Sequence, residues 1–435
     1  MNSNMTMTCK ICEQDTDCRI GYSNRQIQPL SFACPHCGSL MKITLDISQA
    51  PRSIFTYESC EMSKNQPTEL FDGSNPFVDL HLDFPVKFAK YTQGHTPFLM
   101  AVQELYEGSE PELGARKMAF HVQRLDQLNY FHDRAGEIKA IIRLYSGNNK
   151  QLFKKRVGEF LRRDQGASLK PQDVNASLYQ FISFVFLPFV NFGEIKEVVD
   201  GFSELIERLP RGALEKFVWS LMASGFLGNL QKDCLKIYPE IYNAEMALRP
   251  AFFLDLVGGH EKAKTAARIS TKDFQSYKDL YKDIIEVFSR QLAILAGINN
   301  IIQRGDSESF PKIDGGALSS MEKFTEKALS DKFKYLDNCF YKINPDAIDA
   351  GVRNSIAHNN VNYDEISQIV TYYPKGGGIA QTPGQTIYFL DFMRMILVLF
   401  REMHNLHHMI KAFFYLEYLV FQPGREKLAA KSGND

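Results

Sequence analysis

Two cysteine pairs constrain the start of this chain more than any other feature does. Cys9-x-x-Cys12 and Cys34-Pro35-His36-Cys37 each read as a tight turn that aims two sulfurs at one point, and Gly38 eases the second turn. Four thiolates at that spacing match a structural metal site, so Zn2+ held by Cys9, Cys12, Cys34 and Cys37 is the expected cofactor. Four thiolates leave no open coordination position, which argues against catalysis at that ion. Cys18 and His36 are the alternative ligands, and the paired geometry favours the four cysteines over them. The chain has eight cysteines, and in a reducing compartment they point to metal binding before disulfides.

The run Leu40 to Ile47 alternates like a strand. With the cysteine pairs it makes residues 1–50 resemble a zinc ribbon. Such a module can bind RNA, DNA or protein, or simply fold the N-terminus. Residues 51–75 are polar and proline-bearing, with Pro51, Pro67 and Gly73, and read as a linker; Cys60 reads as a spare thiol. The opening MNSNMTMTCK lacks the apolar stretch of a secretory signal. No apolar run reaches the roughly 18 residues that would span a bilayer. Phe181 to Phe192 is too short, and Ile387 to Phe421 is interrupted by charges such as Arg394, Arg401 and Glu402. The expectation is a cytoplasmic protein with no membrane partner. The net charge of −1 supplies no global attraction to nucleic acid, so any RNA contact needs a local patch.

Residues 76–270 read as a helical middle domain, for recognition or sensing. No fixed repeat period runs through them. One helix there, NKQLFKKRVGEFLRRD, crowds Lys150, Lys154, Lys155, Arg156, Arg162 and Arg163, with Phe153, Val157 and Phe160 on its buried side. That cluster is the candidate RNA-binding surface, although amphipathic helices often carry such runs as a solvated face. Gly258-Gly259, ahead of the basic stretch 260–268, reads as a helix end. No Walker or dinucleotide pattern occurs.

Residues 271–425 read as a second helical domain, with 426–435 as a polar tail. Long helices are expected over 272–304, 318–341 and 391–420, and a β-hairpin over 365–390 with its tip at Lys375-Gly376-Gly377-Gly378. Between them lies INPDAIDAGVRNSIAHNN, residues 343–360. Asn344 reads as its N-cap, Pro345 as the first helical residue, and Asn359 and Asn360 as left-handed terminators. At about 100° per residue, Ile348, Val352 and Ile356 form an apolar stripe. The opposite face holds Ala347, Ala350, Gly351, Asn354 and Ala357, bordered by Arg353 and His358. Such a helix suits either a central place within its own bundle or the close approach of a second copy of the chain, which would bring two Arg/His pairs into one cleft. His358 can take the proton of an RNA 2′-hydroxyl or protonate the leaving oxygen. Arg353 offers a forked cation to a phosphate, and Asn354 can orient either. The 2′-hydroxyl is the nucleophile, so no catalytic metal is expected. Arg116 to His121 repeats the spacing with bulky residues between and reads as a decoy. His404, His407 and His408 on the last helix read as surface or dimer-contact residues.

Arg353-Asn354 followed by His358, on a short helix between long ones, resembles the HEPN superfamily of helical ribonucleases and nucleotide-binding domains. The resemblance implies a homodimer, a composite RNase site across it, metal-independent cleavage, and products with a 2′,3′-cyclic phosphate. It also implies a role as a toxin or abortive-infection effector, with an inhibitor or trigger as a further partner. The family uses a polar residue on an earlier helix, for which Glu286 and Asp337 are the candidates. The expected fold is therefore mainly α: an N-terminal zinc ribbon, a helical middle domain and a C-terminal HEPN-like helical bundle with a β-hairpin insertion. The expected function is a metal-independent endoribonuclease. The alternative is a non-catalytic adaptor that binds nucleic acid or protein through the ribbon and the helical body.

Overall fold

Alternation of apolar and polar residues through the first sixty positions makes strands, and strands far apart in sequence pair with one another. The structure, a computed structural model, describes residues 1–67, 70–107, 110–257, 267–271, 274–313, 316–374 and 383–426. In chain order the strands are β1 (Asn2–Cys9), β2 (Asp15–Gly21), β3 (Ile27–Ala33), β4 (Leu40–Asp46), β5 (Ile54–Glu58), β6 (Cys60–Met62), β7 (Phe77–Leu80), β8 (Val86–Lys87), β9 (Ala267–Arg268), β10 (Lys312–Ile313), β11 (Gly316–Ala317), β12 (Val361–Asp364), β13 (Ile369–Tyr372) and β14 (Gln385–Tyr388). The helices are α1 (Pro97–Glu107), α2 (Pro111–Asp133), α3 (Ala135–Ser146), α4 (Lys150–Leu161), α5 (Pro171–Val185), α6 (Phe192–Arg208), α7 (Arg211–Ala223), α8 (Phe226–Ile241), α9 (Glu245–Phe253), α10 (Gln275–Arg304), α11 (Met321–Thr325), α12 (Leu329–Lys334), α13 (Ala350–Ala357) and α14 (Phe389–Tyr415).

This corrects the mainly α expectation. Helix takes 56% of the chain and strand 15%, in five small sheets among the described residues, so the fold is mixed α/β. The N-terminal part is a β-rich module larger than a zinc ribbon. One sheet has the order β6-β1-β2-β7 and another the order β3-β4-β5. Residues 51–75, expected as a linker, carry β5 and β6, which extend both sheets. Met41, Ile43 and Leu45 of β4 are fully buried, with Lys42 outward between them. Pro29 is tolerated because β3 lies at a sheet edge, where a missing N–H costs no ladder bond.

The chain divides into two compact units, the first made of Met1–Asp133, Tyr242–Lys282 and Ile348–Leu397. Its β module is clamped by Arg19, whose guanidinium grips the Asp79 carboxylate (2.8 and 2.5 Å) and the carbonyls of Thr92 and His95. The hairpin expected late in the chain is present as β13 against β14, and β12 adds a third strand. Gln368 ties this sheet to residue 269 through both its amide groups, at 2.8 and 2.9 Å. The expected tip at Lys375 to Gly378 and the basic stretch 260–266 lie outside the described residues.

The second unit is Arg134–Ile241, Asp283–Ala347 and Val398–Asp435. Aromatic rings fill its core, with Phe186, Phe189, Tyr238 and Phe400 all fully buried. The long helix expected over 318–341 is replaced by the short α11 and α12. Thr325 bonds back to the Glu322 carbonyl at 2.7 Å, and Ala328 is extended, so the local side-chain bond and the backbone turn end the first helix. Among the described residues no helix is long and apolar enough to cross a membrane.

Candidate metal centre and the Arg–His helix

The four expected cysteines meet. The β1–β2 connection carries Cys9 and Cys12, and the β3–β4 connection carries Cys34 and Cys37. Each pair closes a turn through a backbone bond: Glu13 N–H to the Cys9 carbonyl and Gly38 N–H to the Cys34 carbonyl, both at 2.9 Å. Gly38 sits at φ +75°, which a glycine adopts at little cost. The four Sγ atoms lie within 4.8 Å of one another, with Cys12 to Cys34 at 3.7 Å and Cys9 to Cys37 at 3.8 Å. This set could hold a metal ion. The Cys37 thiol is drawn down to about 6 by Ser39, whose Oγ lies 3.3 Å away, while burial drives Cys34 up to about 12. A cation among them would favour the thiolate form throughout. The two alternative ligands stand apart from the set. Cys18 is buried against the Thr16 carbonyl, and His36 Nε2 lies 3.1 Å from the Asp15 carbonyl oxygen. Cys60 is buried in the strand beside Cys9, where the β ladder pairs the two.

The Arg/His segment is helical but begins later than expected. Asn344 caps only a short turn over Pro345–Ala347, accepting the Asp346 N–H at 3.0 Å. The helix α13 starts at Ala350, capped by Asp349, whose carboxylate accepts the Val352 N–H at 3.0 Å. It ends with Asn359 left-handed at φ 58°, as expected, while Asn360 is not left-handed and places its N–H on the Ser355 carbonyl at 2.8 Å. Val352 and Ile356 are buried and Ile348 is half-buried, so the apolar stripe faces inward. On the small face Ala350 and Ala357 are exposed and Asn354 is half-buried, whereas Ala347 lies in the preceding turn and is fully buried, which takes it out of the expected face. Gly351 packs under Tyr372 and Pro374, too closely for a Cβ.

Arg353 is half-buried and His358 is exposed at the helix end, so both can be reached from solvent. Arg353 donates to Asn354 Oδ1 at 3.2 Å, which aligns the two side chains. Helix α10 adds two residues that the sequence reading passed over. Lys278 places its ammonium 3.3 Å from Asn359 Oδ1, next to His358 in the chain. Tyr281 is fully buried; burial, then the nearby Asp349 charge, raise its hydroxyl, while the Arg353 cation lowers it. Neither spacing nor composition marks these two, because only the packing of α10 beside α13 brings them in. The earlier candidates belong to the second unit. There Asp337 is gripped by Arg304 at 2.8 and 3.0 Å and by Asn299, a structural assignment.

Other charged and histidine side chains are spent on packing. Arg401 donates to the Phe189 carbonyl at 2.8 Å, and Arg394 pairs with Asp255 at 3.4 Å. The decoy fails as a site, since His121 is fully buried between Phe84 and Phe253. His404, His407 and His408 are buried, not surface or contact residues. In the basic cluster, Lys154 is buried on the Ser168 carbonyl (2.7 Å) and Lys150 lies on the Tyr145 carbonyl and ring. Arg156 pairs with Glu159 at 2.8 Å, while Lys155, Arg162 and Arg163 are exposed. Lys155 also lies 3.9 Å from Glu159, so the exposed Lys155, Arg162 and Arg163 make a smaller patch than the sequence suggests.

No family model matches the chain, and neither does any curated protein or any solved structure.

Proposed function

We propose that the protein is a metal-independent endoribonuclease whose active groups are Arg353, Asn354 and His358. The observation that carries this reading is their placement along one short capped helix and its C-cap, with the imidazole exposed, the guanidinium reachable and Ala350 and Ala357 exposed beside them. A second copy docked on Ala350, Asn354 and Ala357 would set two such pairs around one phosphate. One His358 takes the 2′-hydroxyl proton as that oxygen attacks phosphorus. The bond from phosphorus to the 5′ oxygen breaks, and the other copy's His358 protonates that oxygen. The product ends are a 2′,3′-cyclic phosphate and a 5′-hydroxyl. Arg353 neutralises charge gathering on the phosphate, and Lys278 adds a cation at the His358 end. Lys155, Arg162 and Arg163 offer a small auxiliary patch for the RNA backbone.

The cysteine centre supplies rigidity to this reading. A tetrahedral Zn2+ with zinc–sulfur bonds of about 2.3 Å sets its sulfurs about 3.8 Å apart. Two of the pairs, at 3.7 and 3.8 Å, suit that ion. Zinc there ties the β1–β2 and β3–β4 hairpins together. An uncontrolled RNase would harm its host, so a toxin or anti-phage effector with a trigger is the setting that fits such an activity.

The test incubates purified full-length protein with total RNA in EDTA, with zinc content followed in parallel, beside Arg353→Ala and His358→Ala. Cleavage by the wild type alone, leaving cyclic-phosphate ends, supports the reading. Equal cleavage by all three, or none under conditions that keep the protein folded and dimeric, overturns it and favours a binding module.

A further inference from the structure

The second unit contains a cleft of about 390 Å3 between α6 and the end of α14, within the size range of small-molecule pockets. Its walls are largely apolar, from Val198, Phe202, Ile206, Ala412, Leu416 and Leu419. Two side chains that can bear or donate positive hydrogen also line it, His408 and Lys411, together with Ser203, Tyr415 and one carboxylate, Glu207, which is exposed to solvent at the α6 wall.

Both are unusual for an apolar wall. Lys411 is half-buried and, among the described residues, makes no ion pair; its ammonium lies 5.8 Å from the Tyr179 ring centre. His408 is more than nine-tenths buried, and its Nδ1 has no partner among the described residues. The ring is not free to turn that nitrogen elsewhere, because its Nε2 is bonded to His404 Nε2 at 3.2 Å. The bond is one link of a chain. His404 Nδ1 lies 2.7 Å from Tyr238 Oη, and Tyr238 Oη lies 2.9 Å from His407 Nδ1.

Counting protons along this chain gives two arrangements, because each neutral imidazole carries one N–H and the hydroxyl one O–H. In one, His408 Nε2–H donates to His404, His404 Nδ1–H to Tyr238, and Tyr238 Oη–H to His407, which leaves His408 Nδ1 a bare lone pair. In the other every bond reverses, and His408 carries its proton on Nδ1. The unpartnered buried atoms at the two ends, His407 Nε2 and His408 Nδ1, are the ones this count requires. An acceptor in the cleft would select the second arrangement and satisfy the donor that it creates. An acceptor with negative charge would also satisfy Lys411.

We infer that this cleft binds a monocarboxylate with an apolar tail, its carboxylate meeting the Lys411 ammonium and His408 Nδ1–H and its tail lying along Val198, Phe202, Ile206 and Leu416. The site is in the unit that does not carry α13, so it stands independently of the ribonuclease reading.

The experiment titrates the full chain by calorimetry with decanoate, decan-1-ol and decylamine, all below their aggregation concentrations. Saturable one-to-one binding of decanoate is expected, about tenfold tighter than decan-1-ol. Decylamine binds more weakly still. Lys411→Gln keeps the stem and removes the charge, and it weakens decanoate about tenfold while leaving decan-1-ol unchanged. Leu419→Glu, at a wall residue that is 55% exposed, puts negative charge at the cleft and weakens decanoate without unfolding the protein. Failure of decanoate to saturate overturns the proposal, as does equal binding of the three ligands or indifference to Lys411→Gln in a folded variant. Should Lys411→Gln not fold, the three-ligand comparison on the wild type together with Leu419→Glu decides. Saturation of the cleft by a second copy of the chain, seen as a decanoate-sensitive dimer abolished by Leu419→Glu but indifferent to Lys411→Gln, also overturns it.

Discussion

The Asp349 carboxylate accepts the Val352 N–H at 3.0 Å, and this bond fixes where the helix bearing Arg353 and His358 begins. Tyr372 Oη lies 3.4 Å from the other carboxylate oxygen, so the cap is also tied to the β13 strand. Replacing Asp349 by Ala removes the acceptor and is expected to cost about 1 kcal/mol in urea denaturation. Asp349→Asn keeps a side-chain acceptor and should recover most of that loss. If RNA cleavage depends on α13, the Ala variant also cleaves less than the Asn variant at a temperature where both are folded.

Removing the metal should loosen the β module. Cys34 is fully buried at the centre of the cysteine set, whereas Cys37 is exposed. The wild type is expected to carry one zinc per chain by atomic emission, and Cys34→Ser to carry none. Chelator treatment of the wild type should reproduce the lowered melting temperature of Cys34→Ser. A protein that retains its melting temperature after the zinc has gone would remove the ion's structural role.

Some of this was legible in the sequence, for identifiable physical reasons. The cysteine set and the left-handed Asn359 follow from chemistry within a few residues, and such signals survive folding. The helices from α1 to α9 carry their own apolar periodicity. The parallel pairing of β2 with β7 joins Asp17 to Phe77, and no local pattern announces a partner sixty positions away. Residues 54–62 include the strand formers Ile54, Phe55, Thr56 and Tyr57, but they sit in a stretch that Pro51, Pro67 and Gly73 make read as a linker, and their partners, β4 and β1, lie outside the segment. His404 and His408 share a helix face four residues apart, which on its own suits a surface. Tyr238 supplies the hydrogen bond that lets that face be buried, and it comes from another helix.

Acid should destabilise the protein through its buried histidines. Burial holds His404 and His407 well below the ordinary histidine range and lowers His408 and His121 to about 4. In the unfolded chain each titrates near 6.5. Between about pH 6.5 and 4 the unfolded state therefore binds more protons than the folded state, so stability is fully present above that window and falls through it. A single group lowered to 4 forfeits roughly 3 kcal/mol by the bottom of the window. His121 isolates the effect, because neither of its ring nitrogens has a partner among the described residues and Phe84 and Phe253 enclose the ring. His121→Phe should flatten the fall in urea midpoint between pH 7 and 5. An unchanged slope would show that His121 takes up no proton on unfolding in that range.

The costliest single substitution is expected at Arg249. Its side chain is wholly buried, and its guanidinium meets Asp83 at 2.9 Å, Glu245 at 2.5 Å and Asn129. Glu245 is equally buried; burial pushes its carboxyl up, and Arg249, His132 and Arg25 together outweigh that push and hold it down to about 2. Two carboxylates thus depend on one cation for compensation, with His132 and Arg25 at 3.3 and 3.7 Å from the far oxygen of Glu245. Truncating Arg249 to Met leaves the carboxylates buried with their main partner gone, a change worth about 3 to 5 kcal/mol. Lys at this position should rescue little, because one ammonium cannot reproduce a fork that reaches Asp83, Glu245 and Asn129 together. Replacing Glu245 by Gln in the Met variant removes one uncompensated charge, so the double variant should be more stable than Arg249→Met alone. Urea denaturation of the wild type, Arg249→Met, Arg249→Lys, Glu245→Gln and the double variant at pH 7 checks the order, and additive losses in the double variant would mean that Arg249 and Glu245 do not act as a pair.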